Sequence, residues 1–219
     1  MALRHGRTDY TELGLDLTVE GEAHSRQVAE KSVLPWLYSL QVQREDLSII
    51  TSPAARAKGT GTVISQVVGN HRGIVVYDIL KPMAWRNSIR ALAILGEMKK
   101  RGGYIDYETE KCFADASIFE THGEVKERWY KFFARYIISV THRTEMPRAT
   151  VLVAHYELLC NVAHDLFGVV SSEATALQHT EPISLSLHRT DDANLILVEG
   201  KFRDMADFRL FDMTARQFI

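Results

Sequence analysis

Basic side chains that can bind an anion and attack phosphorus occur at three separate points of the sequence. Arg4 and His5 lie near its start, Arg56 comes soon after an apolar run, and His155 directly follows another. Two guanidinium groups supply paired N–H donors that match a dianionic phosphoryl group. Two imidazoles supply one nucleophile and one further donor. If the fold brings the three points together, they form a phosphoryl-binding site.

Each of these groups follows a predicted β-strand. Residues 1–3 supply only the end of a short strand, residues 47–50 form an apolar run before Pro53, and residues 149–154 are the most β-like run. A further strand is predicted over residues 74–80. In an open α/β sheet, ligands bind at the carboxyl ends of the strands. We therefore expect the basic residues to meet at one edge of such a sheet.

The first helix has a clear predicted start and end. Thr18 is a suitable N-cap, and Glu20 and Glu22 place acids in the first turn. Pro35 disfavours continuation of the helix, because proline lacks the N–H that an interior helical position needs. We expect this helix to end at about residue 33 or 34.

A second helix is predicted to start near Pro53 and to carry Arg56 in its first turn. Backbone N–H groups at a helix start favour a bound anion, so Arg56 has a suitable position. Alternating apolar residues predict a hairpin with strands at 183–188 and 195–198. Apolar periodicity predicts further helices over residues 85–100, 125–140 and 156–167.

The composition is that of an ordinary globular chain with little net charge. Of the 219 residues, 46% are hydrophobic and 25% are charged, and the formal net charge is -2. This length can bury a sizeable core, and we expect one domain over residues 1–219 with an insertion or cap at about 83–122. The small net charge gives no basic field for nucleic acid, and no apolar run approaches the roughly 20 residues of a membrane helix. We expect no nucleic-acid or membrane partner.

Cysteine usage indicates the compartment. Cys112 and Cys160 are the only two cysteines, and a chain of this size needs no disulfide to fold. We expect both to be free thiols in a reducing compartment, and therefore a cytoplasmic protein.

Four motifs together resemble those of the histidine phosphatase superfamily, the phosphoglycerate-mutase-like proteins. They are Arg-His-Gly-x-Thr at 4–8, Leu-Thr-Val-Glu-Gly at 17–21, Ser-Pro-x-x-Arg-Ala-x-x-Thr at 52–60 and Val-Leu-Val-Ala-His at 151–155. The resemblance extends from residue 1 to about 168, in order and at compatible spacings. Residues 83–122 match no part of the family pattern.

The resemblance implies a three-layer α/β/α fold with a mixed, mostly parallel central sheet. His5 matches the histidine that becomes phosphorylated. Arg4, Arg56 and His155 match the residues that hold the phosphoryl oxygens and stabilise the transition state, and Thr8 is assigned to the same phosphate pocket. The family needs no metal, and the sequence has no metal-ligand spacing. We therefore expect no cofactor.

The acid that protonates the leaving group has two candidates. The resemblance places it either in the segment that contains Asp78 or beside the second histidine, where Glu157 lies. Asp78 is preferred and Glu157 is the alternative. Arg7 stands where many members of the family have an acid. It adds positive charge beside the pocket, which favours a polyanionic or acidic substrate; the equal alternative is that Arg7 forms a surface ion pair.

The activity implied by the resemblance is hydrolysis of phosphomonoesters through a phosphohistidine on His5. The alternatives are a mutase-type phosphotransferase of the same chemistry and a non-catalytic module that binds phosphorylated ligands. The substrate is either a phosphorylated small molecule or a phosphoprotein, and the sequence leaves its identity open. A homodimer is compatible with the apolar C-terminal tail and the hairpin at the sheet edge.

Overall fold

A mixed β-sheet lies at the centre of the computed structural model, which describes residues 1–8, 16–100, 111–142, 149–170 and 175–219. Within these residues the sheet has eight strands in the order β3-β2-β4-β1-β5-β6-β7-β8. The strands are β1 Ala2–Arg4, β2 Leu47–Thr51, β3 Ile74–Val76, β4 Ala149–Ala154, β5 Pro182–Arg189, β6 Leu195–Phe202, β7 Met205–Asp212 and β8 Gln217–Phe218. The α-helices are α1 Val19–Val28, α2 Leu34–Ser39, α3 Ala55–Val68, α4 Ser88–Lys100, α5 His122–His142 and α6 Tyr156–Phe167.

The parallel part of the sheet aligns the strand ends that carry the candidate site. Strands β3, β2, β4 and β1 run parallel, with Arg4 paired to Ala154 and Thr51 to Val153. The residue after β1 continues this alignment, because the His5 N–H donates to the Ala154 carbonyl at 3.0 Å. The register therefore brings the ends of β1, β2 and β4 to one edge of the sheet.

The antiparallel part extends the sheet beyond β1. Strand β5 pairs with β1 and is followed by successive antiparallel neighbours β6, β7 and β8. The hairpin predicted at 183–188 and 195–198 is confirmed, with longer strands than expected. The C-terminal tail forms β7 and β8, and Phe211 of β7 is fully buried.

Helices cover both faces of the sheet and enclose two cores. One core joins Leu3, Ile49 and Val151 of the sheet to apolar residues of α1–α3 and the turn between α1 and α2. The other joins Ala2 and Leu152, on the opposite face of the same strands, to α5 and α6. Successive strand residues point to opposite faces, so the two cores share the strands. The predicted three-layer α/β/α architecture with a mixed sheet is confirmed.

The predicted end of the first helix is wrong. Helical backbone continues from α1 through a π-helical turn, Ala29–Val33, into α2. Pro35 lies in the first turn of α2, directly after the π-helical turn, and proline is tolerated at such a position. The π-helical turn makes wider hydrogen bonds, so the chain reaches Ser39 without a break.

The strand predicted over residues 74–80 is shorter than expected. It ends at Val76, and Asp78–Leu80 form a 3₁₀ turn. Arg128 of α5 donates to the carbonyl groups of Ile79 and Lys81, at 2.5 and 2.9 Å. Strand β2 ends at Thr51, opposite Val76, so a longer β3 would have no residues of β2 to pair with.

The segment predicted as an insertion contributes to the core in its described parts. Met83, Phe113, Ile118 and Phe119 are buried within the same apolar cluster as α5 and α6. Residues 101–110 lie outside the described part of the chain, so a cap role for 83–122 stays a prediction. None of the helices in the described part combines the length and apolar character that a bilayer span requires.

Candidate active site

Three buried basic side chains meet where β1, β2 and β4 end. His5 follows β1, Arg56 lies in the first turn of α3 after β2, and His155 is the N-cap residue of α6 after β4. Their exposed fractions are 2%, 8% and 1%. The two imidazole rings lie 5.1 Å apart between centroids. The structure thus brings together residues that are up to 150 positions apart in the sequence.

Arg56 bridges the two histidine rings. Its Nε lies 3.1 Å from Nε2 of His5, and its Nη2 lies 3.4 Å from Nδ1 of His155. Nδ1 of His5 lies 2.7 Å from the Gly6 carbonyl, which accepts hydrogen bonds only, so Nδ1 carries the proton. The lone pair of His5 is therefore on Nε2, where it accepts from Arg56.

Burial and positive charge keep both rings neutral. Burial is the largest cause that lowers the pKa of His5 from 6.5 to about 2, and Arg56 adds to it by charge repulsion. Burial is also the main cause that holds the pKa of His155 well below its usual value, followed by the charges of His5 and Arg56. A neutral ring with a free lone pair is the form of histidine that acts as a nucleophile.

Ser52 holds the second histidine in place. Its Oγ lies 2.7 Å from Nε2 of His155 and accepts from the Ala54 N–H at 3.2 Å. Because Nδ1 of His155 faces a guanidinium donor, Nε2 carries the proton and donates to Ser52. Ser52 is fully buried. In the sequence this residue is recognisable only as part of a motif, because its contact with His155 depends on the register of β2 against β4.

Arg4 lies on the other side of His5. Its Nη1 donates to the Leu177 carbonyl at 2.9 Å, and its guanidinium lies over the Tyr156 ring, 5.3 Å from the centroid. Its charge also lowers the pKa of His5. Arg4 thus provides a fixed second cation beside the His5 ring.

The loop after β1 is tied to both α1 and α3. Gly6 N–H donates to Oγ1 of Thr60 at 2.8 Å, and that hydroxyl donates to the Arg56 carbonyl. Gly21 of α1 packs directly on the backbone of Arg7, where a Cβ would overlap the carbonyl oxygen. These contacts fix the two residues that follow His5.

The remaining predicted residues lie in different environments. The Thr8 hydroxyl donates to the Asp16 carbonyl, so it braces the loop instead of joining the three basic side chains. Asp78 begins the 3₁₀ turn after β3 and is exposed. Glu157 is buried in the first turn of α6, and its Oε1 accepts from the Met83 N–H at 2.7 Å.

A third histidine lies at the site, and none of the sequence motifs indicates it. The His179 ring lies edge-on to His5, with 5.6 Å between centroids. His179 precedes β5, which runs antiparallel to β1, so the start of β5 lies at the edge where β1 ends. That pairing was the signal that could have located it.

Within the described residues, no three His, Cys, Asp or Glu side chains are grouped as a metal site requires.

Comparison with known proteins finds solved structures with a similar fold. No family model matches the sequence, and a search of curated proteins finds no significant match. The native structure of mycobacterial glucosyl-3-phosphoglycerate phosphatase is 20% identical, with a TM-score of 0.60 over 96% of this chain and 95% of that one. Its complex with VO3 is also 20% identical, with a TM-score of 0.54 over 96% of both chains.

A second mycobacterial protein gives the same result. The structure of mycobacterial hydrolase 2 is 19% identical, with a TM-score of 0.61 over 95% of this chain and 87% of that one. At these identities the similarity concerns the fold. The chain therefore shares its three-layer α/β/α fold with these structures over nearly its full length.

Proposed function

We propose that this chain is a member of the histidine phosphatase superfamily that hydrolyses phosphomonoesters through a phosphohistidine on His5. The observation that carries the proposal is the position of Arg56 between two neutral, buried imidazoles. A guanidinium beside the lone pair of His5 Nε2 is placed to receive phosphoryl oxygens while the nitrogen attacks phosphorus. The fold shared with a phosphatase at nearly full length is consistent with this chemistry.

The reaction has two balanced steps. In the first, Nε2 of His5 forms a bond to phosphorus as the ester P–O bond breaks, and the leaving oxygen takes a proton from an acid. In the second, water attacks phosphorus and gives a proton to the carboxylate that the acid became, the P–N bond breaks and inorganic phosphate leaves. Arg4, Arg56 and His155 stabilise the charge on the phosphoryl oxygens in both steps. Neither step calls on a metal.

The proton donor remains a choice between two carboxyl groups. Asp78 is exposed in the 3₁₀ turn that follows β3, and no hydrogen bond within the described residues occupies its carboxylate. Glu157 is buried, and its Oε1 already accepts from the backbone N–H of Met83. We keep Asp78 as the proposed donor and Glu157 as the alternative.

Substrates with different leaving groups distinguish the two carboxyls. The Asp78→Asn variant is expected to lose more activity on an alkyl phosphate than on p-nitrophenyl phosphate, whose leaving group needs little protonation. The Glu157→Gln variant is expected to affect both substrates equally. If only Glu157→Gln shows the selective loss on the alkyl phosphate, the assignment to Asp78 is wrong.

The substrate is proposed as a phosphorylated small molecule, with a phosphoprotein as the alternative. A structural neighbour acts on glucosyl-3-phosphoglycerate, so this compound belongs in a test panel of sugar phosphates, phosphorylated acids and phosphopeptides. We also keep a cytoplasmic location and a homodimer as proposals. Fractionation and size-exclusion chromatography test these two directly.

Phosphate release across the panel, in the presence of a chelator, tests the proposed activity. The His5→Ala variant is expected to lose turnover, whereas His71→Ala, which replaces an exposed histidine, is expected to keep it. Labelled phosphate should appear on the wild-type protein and then in solution. Transfer of the label to a second substrate molecule would favour the mutase, and binding without any phosphohistidine would favour the non-catalytic module.

A further inference from the structure

The third histidine has an unused nitrogen beside the nucleophile. The His179 ring contacts His5 edge-on, as described above. Nε2 of His179 is buried and has no hydrogen-bond partner among the residues that the structure describes. Because a buried polar atom without a partner is costly, this nitrogen is suited to a ligand that arrives from outside the chain.

A second unpartnered nitrogen belongs to the same pocket. Nε of Arg4 is likewise buried without a partner in the described part of the chain. Arg4 and His179 act on each other electrostatically, and both act on His5. Two unsatisfied nitrogens on side chains that flank His5 match the several oxygens of a tetrahedral anion.

The groups with the strongest electrostatic effect on His179 are all basic. Glu181, the nearest acid on the same segment, is paired to Arg203 at 2.6 Å. Burial, followed by the neighbouring positive charges, lowers the pKa of His179 from 6.5 to about 4. The groups that face it are Arg4 and His5 of the β1 end, Arg7 of the following loop, His24 of α1 and Arg56 of α3.

We infer that His179 is a further ligand of the phosphoryl group, and that Nε2 binds the anion after the ring has taken up one proton from water. A dianion in the pocket opposes the repulsion among the basic groups, so the charged ring becomes favourable once the anion is bound. The inference rests on the proposed function, because it places the anion at His5. Its consequence is that anion affinity increases as the pH falls.

Binding of inorganic sulfate by the whole chain tests this coupling. Sulfate is a tetrahedral dianion that does not titrate near neutral pH, so any proton uptake belongs to the protein. Titration calorimetry at several pH values, in buffers of different ionisation enthalpy, gives the affinity and the number of protons bound. The wild-type affinity is expected to increase by up to about tenfold for each pH unit lowered, as uptake of one proton requires.

Two variants test whether the His179 ring takes up the proton. His179→Gln keeps a polar group near the position of Nε2 but cannot titrate, so its sulfate affinity should vary with pH by one proton less than the wild type. His24→Gln, which changes an exposed basic neighbour, should retain the full pH dependence. An unchanged pH dependence in His179→Gln, or its loss in His24→Gln, would overturn the assignment to His179.

The outcomes separate this inference from the proposed function. If His179→Gln keeps the wild-type pH dependence while His5→Ala abolishes phosphate release, the inference fails and the phosphatase proposal stands. If the wild-type protein binds no sulfate at any pH and releases no phosphate from any ester, both fail. A fluorescence or circular dichroism spectrum checks that each variant is folded.

Discussion

Acid should destabilise this protein strongly, because the buried imidazoles cannot accept protons in the folded state. Burial and Arg56 lower the pKa of His5 from 6.5 to about 2. Below pH 6.5 the unfolded chain therefore binds a proton at this ring that the folded chain does not. Stability is fully present above the unfolded pKa and falls as the pH drops towards the folded pKa.

The size of the effect follows from the pKa difference. At about pH 5 the ring is roughly 1.5 pH units below its unfolded pKa and still neutral when folded. At about 1.36 kcal/mol for each unit, His5 alone costs roughly 2 kcal/mol relative to neutral pH. His155, whose pKa is also lowered by burial, acts in the same direction. Such a loss is a large part of the 5–15 kcal/mol that typically stabilises a domain.

Urea unfolding at about pH 7.5 and pH 5 measures this loss directly. The buffer must be free of phosphate and sulfate, because an anion bound at the site would stabilise the folded state. His5→Gln removes the titrating ring, so its loss of unfolding free energy between the two pH values should be smaller by roughly 2 kcal/mol. His71→Gln is the control, since this ring is exposed. If wild type and His5→Gln lose the same free energy, the ring accepts a proton in the folded protein and the reasoning fails.

Three substitutions test how the site is held. Ser52→Ala leaves His155 Nε2–H without an acceptor, so unfolding experiments should show a loss of roughly 1–3 kcal/mol and turnover should fall without a comparable change in KM. Arg56→Lys keeps the charge but loses the planar fork, and kcat should fall by about 10²–10³-fold; a fall below tenfold would contradict the bridging role. Gly21→Ala forces α1 away from the Arg7 carbonyl, so activity and thermal stability should both decrease, whereas Gly123→Ala, at a glycine with open space, should retain both.

The parts of the site that follow from local patterns were predictable, and the parts that need strand pairing were not. His5, Arg56 and His155 each follow a strand, so their types and positions could be identified before the structure. His179 and Ser52 gain their roles only through the registers of β5 on β1 and of β2 on β4. No local pattern encodes those contacts.

The misplaced element ends have the same origin. Pro35 carries a correct local signal for a helix boundary, but the π-helical turn before it allows the helix to continue. The strand after residue 74 ends at Val76 because its partner β2 ends opposite that residue, at Thr51. Propensity describes what a segment prefers alone, whereas the ends of these elements also depend on the backbone geometry and pairing around them.

The short strand before His5 is sufficient because of where it lies. β1 has three residues, yet it pairs with β4 on one side and β5 on the other. Ala2 and Leu3 point into the two separate cores, so a shift of one residue would exchange their environments and turn His5 away from Arg56. The His5 N–H bond to Ala154 extends this register by one more residue. Central placement in the sheet therefore holds His5 in position, and strand length matters little.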